Sequence, residues 1–261
     1  MNSSHDRNIR EWGRRNQEKI LEQRVLIAGS GTLAQYLAGG LSGLGVGSVA
    51  MIDHTRVQSD QFNILCHHIG ARRVDPVMDA VKQLNDTIEA HGVFGGFSRA
   101  LLYGYKPTVC IDASNSLEQK QAVLGYALDQ RAAFFSAVSN THGCQVVRAN
   151  TPTNDLHKGF VESEQHPISS GIAAGVLIEE IRKLAFRYED MLQDQKLPAN
   201  RCWQYNTTHK PLNLSHVRAL VVGAGAIGNY VALSLALLGC KSIHVHDHDT
   251  VERTNLNRQI L

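Results

Sequence analysis

Gly223, Gly225 and Gly228 stand in Gly-x-Gly-x-x-Gly spacing directly after the apolar run 219–222, and Asp247 closes the next apolar run. A glycine turn opening a helix lets backbone N–H groups approach a phosphate, with the helix dipole favouring the negative charge. An acid ending the second strand can accept hydrogen bonds from ribose hydroxyls. By itself this pattern suits NAD, FAD, a methyl donor or ATP equally. The residues beyond Asp247 narrow the chemistry, because Asn255, Arg258 and Gln259 follow closely. A guanidinium grips a terminal phosphate through forked hydrogen bonds, whereas a dehydrogenase has no evident use for one there.

The same pattern occurs earlier, at a constant shift of 194 positions (223 − 29). Gly29, Gly31 and Asp53 map onto Gly223, Gly225 and Asp247, and Val57 maps onto Val251. The third glycine of the earlier copy is Ala34. The string D-x-D-x-V-x-x-x-N-x-x-R-Q from Asp247 to Gln259 resembles the ThiF, MoeB and E1 superfamily, which adenylates ubiquitin-like and sulfur-carrier proteins. Asp6 to Gly13, Ile69-Gly70, Ile111 to Asn115 and Ser139 to Gln145 match further landmarks of that family in order.

The resemblance implies an ATP-dependent adenylyltransferase, with magnesium in a complete site. It places nucleotide contacts at Gly223, Gly225, Gly228, Asp247, Asn255, Arg258 and Gln259, and catalytic roles at Arg258 and Arg7. The family arginine matching Arg7 reaches across a dimer to the partner's ATP. The implied partners are a ubiquitin-like or sulfur-carrier protein and an E1-like chain or a second copy. The first copy departs from the pattern. Gln61 and Ile64 replace the family's Asn and Arg, Ala71 replaces its phosphate-binding Lys (with Arg72 and Arg73 nearby), and Asn115 replaces its magnesium-binding acid. An alternative reading is therefore a noncatalytic subunit that dimerises with an active partner and supplies Arg7. A third is an NAD- or FAD-binding oxidoreductase.

These residues need elements to hold them. Apolar runs predict strands at 25–28, 49–52, 108–112 and 133–138, and helical spacing predicts helices over 8–23, 33–44, 71–89, 117–130 and 172–188. Alternating strands and helices predict an α/β, doubly wound, mostly parallel Rossmann-like sheet with a second partial copy of the same βαβ unit. The expected organisation is a degenerate module over 1–188, a linker or excursion over 189–210, and the front half of a second module over 211–261.

Bulk properties narrow the field. The chain has 261 residues, 43% of them hydrophobic, and a formal charge of +2, which gives no call for nucleic acid. The uncharged stretch 219–240 is long enough to span a bilayer, but its tight glycine spacing and terminal acid favour a βαβ unit over a membrane helix. The five cysteines form no C-x-x-C pair, which argues against a disulfide framework or a thiolate zinc site and for a cytoplasmic protein. His244, His246 and His248 alternate along a strand with no ligand set evident around them, so no metal site is expected there.

Overall fold

The computed structural model describes residues 5–59, 61–151, 156–157, 165–187, 201–206, 213–252, 255 and 259. The chain opens with α1 (Asp6–Trp12) and α2 (Arg14–Leu21). The sequence predicts a single helix here. Gly13 splits it, with a φ of 82° that only glycine adopts without strain. Asn8 donates to the carbonyls of Gly43 and Leu44 at 3.2 and 3.3 Å, and Gln17 to that of Leu44 at 3.0 Å. These bonds fasten the opening helices to the end of α3 (Thr32–Leu44).

The main sheet contains β1 (Arg24–Ala28), β2 (Ser48–Asp53), β3 (Glu89–Phe94), β4 (Val109–Asp112), β5 (Ala133–Asn140), β6 (Gly143–Ala149) and β7 (Arg201–Asn206). Their spatial order is β3-β2-β1-β4-β5-β6-β7. The first five strands pair in parallel, and β6 and β7 add antiparallel. The central β1 is buried on both faces, as its unbroken apolar run requires. α4 (Val74–Leu84), α5 (Leu117–Gln130) and α6 (Pro167–Phe186) complete the layers, and α3 packs on α6.

Two expectations are revised. The helix predicted over 71–89 ends at Leu84, where Asn85 accepts from the backbone and hydroxyl of Thr87 at 3.1 and 2.7 Å, turning the chain into the polar edge strand β3. Residues 201–206, inside the stretch read as linker or excursion, pair with β6 as β7.

The second copy folds as β8 (Arg218–Val222), α7 (Ala226–Leu237) and β9 (Ser242–His246), with β8 and β9 parallel in their own sheet. Its counterpart β1 is flanked on both sides, by β2 and β4. Leu220 and Val222 are 69% and 76% exposed, while their equivalents Leu26 and Ala28 are fully covered. The two copies touch through equivalent residues: Tyr36 and Tyr230, related by the same shift, place their ring centroids 6.2 Å apart. Contact between equivalents is what packing about an approximate twofold axis produces. No helix among the described residues is long and apolar enough to cross a membrane.

Candidate nucleotide site

Both glycine turns are built from the same bonds. Gly223 donates to the His246 carbonyl at 2.8 Å, and Gly29 to the Ile52 carbonyl at 2.9 Å. Both glycines have positive φ, 94° and 107°. Inside the following helix a buried amide side chain reaches back to the middle of the turn. Asn229 donates to the Ala224 carbonyl at 2.6 Å and Gln35 to the Ser30 carbonyl at 3.0 Å. A Cβ at Gly228 would lie 1.7 Å from the Gly223 carbonyl oxygen, so α7 as placed admits no side chain there, whereas α3 carries Ala34 at the equivalent position. The Gln35/Asn229 and Tyr36/Tyr230 pairs are legible in the sequence once the repeat is extended beyond the glycines.

Asp247 accepts from the Ala224 N–H with one carboxylate oxygen and from the Asp249 N–H at 2.9 Å with the other. These backbone bonds, that from Asp249 foremost, hold its carboxyl below the ordinary carboxylate range and keep it ionised. Asn255 turns inward on its own loop, where its side-chain oxygen accepts from the Glu252 N–H at 2.9 Å. Gln259 is buried, and its backbone donates to the Asn255 carbonyl at 3.0 Å. Arg258 lies outside the described residues. Asp247, His248 and Asp249 are exposed neighbours whose ligand-type atoms lie within 4.8 Å of one another.

The first copy holds a cavity of about 430 Å³ at the carboxyl ends of β1 and β4, where strand order reverses. Doubly wound sheets bind their ligands at that crevice. Its lining includes Gly31, Asp53, Arg73, Asn115 and Gln165. The residue at the centre of the turn changes the chemistry here. Ser30 donates its hydroxyl to Asp53 at 2.7 Å, where the second copy has an alanine and a backbone bond. Of the two arginines near the missing lysine, Arg73 lines the cavity, whereas Arg72 stacks over the Phe94 ring. Gln165, which the sequence reading did not single out, lies over the turn. It accepts from the Leu33 N–H at 3.0 Å and donates to the Ala113 carbonyl at 3.3 Å.

Beneath this cavity runs a buried polar chain that sequence reasoning also missed. Lys120 pairs with Asp112 at 3.0 Å and also bonds the Ser114 carbonyl, with both charged groups out of solvent. Asp112 accepts from Ser114 and Ser136 at 2.6 and 3.0 Å. Burial raises the Asp112 carboxyl, while Lys120 and the two serines oppose that rise. His157 bonds Ser136 at 2.8 Å and Gln145 at 3.2 Å. Burial lowers its pKa to about 3, and Lys120 adds to the effect. Cys144 lies fully buried in β6, with its thiol pushed up to about 12 by desolvation, which is unsuited to nucleophilic work. Arg7 is exposed on α1. Its helix is fastened at the C-terminal end of α3, whereas the cavity opens at the N-terminal end, about 20 Å away at 1.5 Å per residue.

A doubly wound α/β fold with two glycine-turn βαβ units defines a Rossmann-like class of protein. Within that class the chain belongs to the ThiF family, which it matches over residues 5–211 and again over 203–261. It is 31% identical over 91 residues to SUMO-activating enzyme subunit 1 of Rattus norvegicus, which takes in 33% of this chain and 26% of that protein. It is 48% identical over 44 residues to the Nedd8-activating enzyme E1 catalytic subunit of Drosophila melanogaster, 17% of this chain and 10% of that one. The chain thus spans about a quarter or less of these relatives. Among solved structures, E. coli MccB with AMPCPP and MccA superposes with a TM-score of 0.62 at 12% identity, covering 79% of this chain and 69% of that one. PaaA superposes with a TM-score of 0.56 at 19% identity, covering 73% and 66%.

Proposed function

We propose that the chain acts in the ATP-dependent adenylylation of a carrier protein's C-terminal carboxylate, the carrier being ubiquitin-like or a sulfur carrier. The second glycine turn receives the nucleotide. The observation that carries this reading is Asp247, an exposed, ionised acceptor at the end of β9, held by the backbone of its own glycine turn, as an acid that accepts from ribose hydroxyls needs to be. Gly223, Gly225 and Gly228 present the turn to the phosphates. Asn255, Arg258 and Gln259 follow the family string and are assigned to the same nucleotide. The reaction is attack of the carboxylate on the α-phosphate with release of pyrophosphate, and its barrier falls through positioning and charge neutralisation. Magnesium is implied by the family, but the matching position of the first copy carries the neutral amide of Asn115, a poor ligand for a hard cation.

Carrier-dependent ATP–pyrophosphate exchange tests this reading. Exchange that requires Asp247 supports it, and absence of exchange in every combination with an E1-like partner and a carrier rejects it. The second reading, a noncatalytic subunit that lends Arg7 to a partner's site, is favoured by one observation: Arg7 is exposed and far from its own copy's cavity. Sedimentation with and without an E1-like partner separates the two readings, since this role requires a stable heterodimer.

A further inference from the structure

We propose that Gln165 is an internal occupant of the first glycine turn, standing where a nucleotide phosphate would bind and excluding ATP from the first-copy cavity. The N-terminus of α3 offers backbone N–H groups and a positive dipole end, the features that draw phosphate to such turns. One of those donors, the Leu33 N–H, is already bonded to the Gln165 side-chain oxygen at 3.0 Å. The amide's other end is fixed to the Ala113 carbonyl at 3.3 Å, so the side chain bridges the crevice from α3 to the end of β4.

The fit over the turn is close. A Cβ built on Gly31 would lie 2.6 Å from the Gln165 oxygen, which leaves no room for a phosphate oxygen between them. Gln165 lies two residues before α6 (Pro167–Phe186), a helix packed along α3, and its reach over the turn follows from that packing. The ribose end differs as well: the Ser30 hydroxyl bonds the Asp53 carboxylate at 2.7 Å, where Asp247 accepts from the Ala224 backbone N–H. A cavity of about 430 Å³ therefore persists, while its phosphate end is taken up by the protein's own amide. Gln165 thus acts as a specificity determinant that keeps nucleotide out of the first turn. This inference concerns the first copy alone and stands whether or not the second turn binds ATP.

The test reads the two turns separately. In the 261-residue chain, ATP is titrated while the backbone amide resonances of Leu33 and Ala224 are followed. The Leu33 amide of the parent is expected to stay unperturbed at millimolar ATP, and a saturable Leu33 shift in the parent would overturn the proposal. In Gln165→Ala carrying Asp247→Ala, ATP is expected to bind about tenfold tighter than in Asp247→Ala alone, with Leu33 shifting, the size expected for releasing one hydrogen-bonded group. A folded double variant without that gain would also overturn it. Gln165→Glu keeps an acceptor on Leu33 and places negative charge at the dipole's positive end, so it is expected to remain closed to ATP. Should Gln165→Ala fail to fold, the parent and Gln165→Glu titrations still decide the matter. The Ala224 response reports on the second turn independently.

Discussion

Acidification should weaken this fold through His157, by an amount the structure sets. The ring is buried, bonded to Ser136 and Gln145, and close to the Lys120 ammonium, and its pKa falls from 6.5 to about 3. Between those values the unfolded chain binds the extra proton and the folded chain does not, so stability is lost as pH falls from 6.5 toward 3. Each pH unit in that window is worth about 1.4 kcal/mol, so moving from pH 7 to pH 5 should cost about 2 kcal/mol from this group alone. Asp112 contributes with the opposite sign, because its raised pKa makes the folded chain the better proton binder in acid. Total stability against pH therefore does not isolate the histidine, but comparison with His157→Asn does. Asparagine tolerates the positive φ of 59° at this position. Urea unfolding of both proteins at pH 7 and pH 5 should show the parent losing about 2 kcal/mol more than the variant. A difference under about 0.5 kcal/mol would mean that the ring is not held neutral by burial.

Other consequences are equally open to measurement. Lys120→Met leaves Asp112 buried without its cation and should cost about 3–5 kcal/mol by urea titration, while Lys120→Met with Asp112→Asn should recover most of that loss. A single-variant cost below about 1 kcal/mol would refute the account of the pair. Gly228→Ala should weaken nucleotide binding at the second turn, since the added methyl meets the Gly223 carbonyl oxygen at 1.7 Å and must push the turn and α7 apart; calorimetric titration with ATP is the readout. Asp247→Ala should weaken ATP binding about tenfold or more by the same method through loss of the ribose acceptor, and an unchanged affinity would remove Asp247 from the site. Gly47→Ala drives a methyl to 2.0 Å from the Leu21 carbonyl oxygen and should lower thermal stability without altering the second turn's affinity for ATP.

Much of the architecture was legible from local patterns. The buried strands β1, β2, β4 and β5 announce themselves as short apolar runs, and the fixed shift of 194 positions exposes two βαβ units before any contact is known. The glycine turn and the acid beside it could be placed from spacing alone, because a tight strand-to-helix turn with positive φ tolerates few residue types. The edge strands were harder to see. β3 carries polar residues because its outer side faces solvent, and β7 lies in a stretch whose composition reads as linker until β6 offers it a ladder.

What required the tertiary structure was the meeting of residues distant in sequence. Nothing near Gln165 marks it as the partner of Leu33, 132 positions away. Lys120 and His157 read as ordinary surface residue types until the fold withdraws them from water and sets them around Asp112 and its Ser136 partner. Local sequence thus determined the two glycine turns and the acids beside them, since backbone sterics and strand periodicity act over a few residues. What stands against the first turn was decided by the packing of α6 along α3, because only close approach across the fold can bring the Gln165 amide onto the Leu33 N–H.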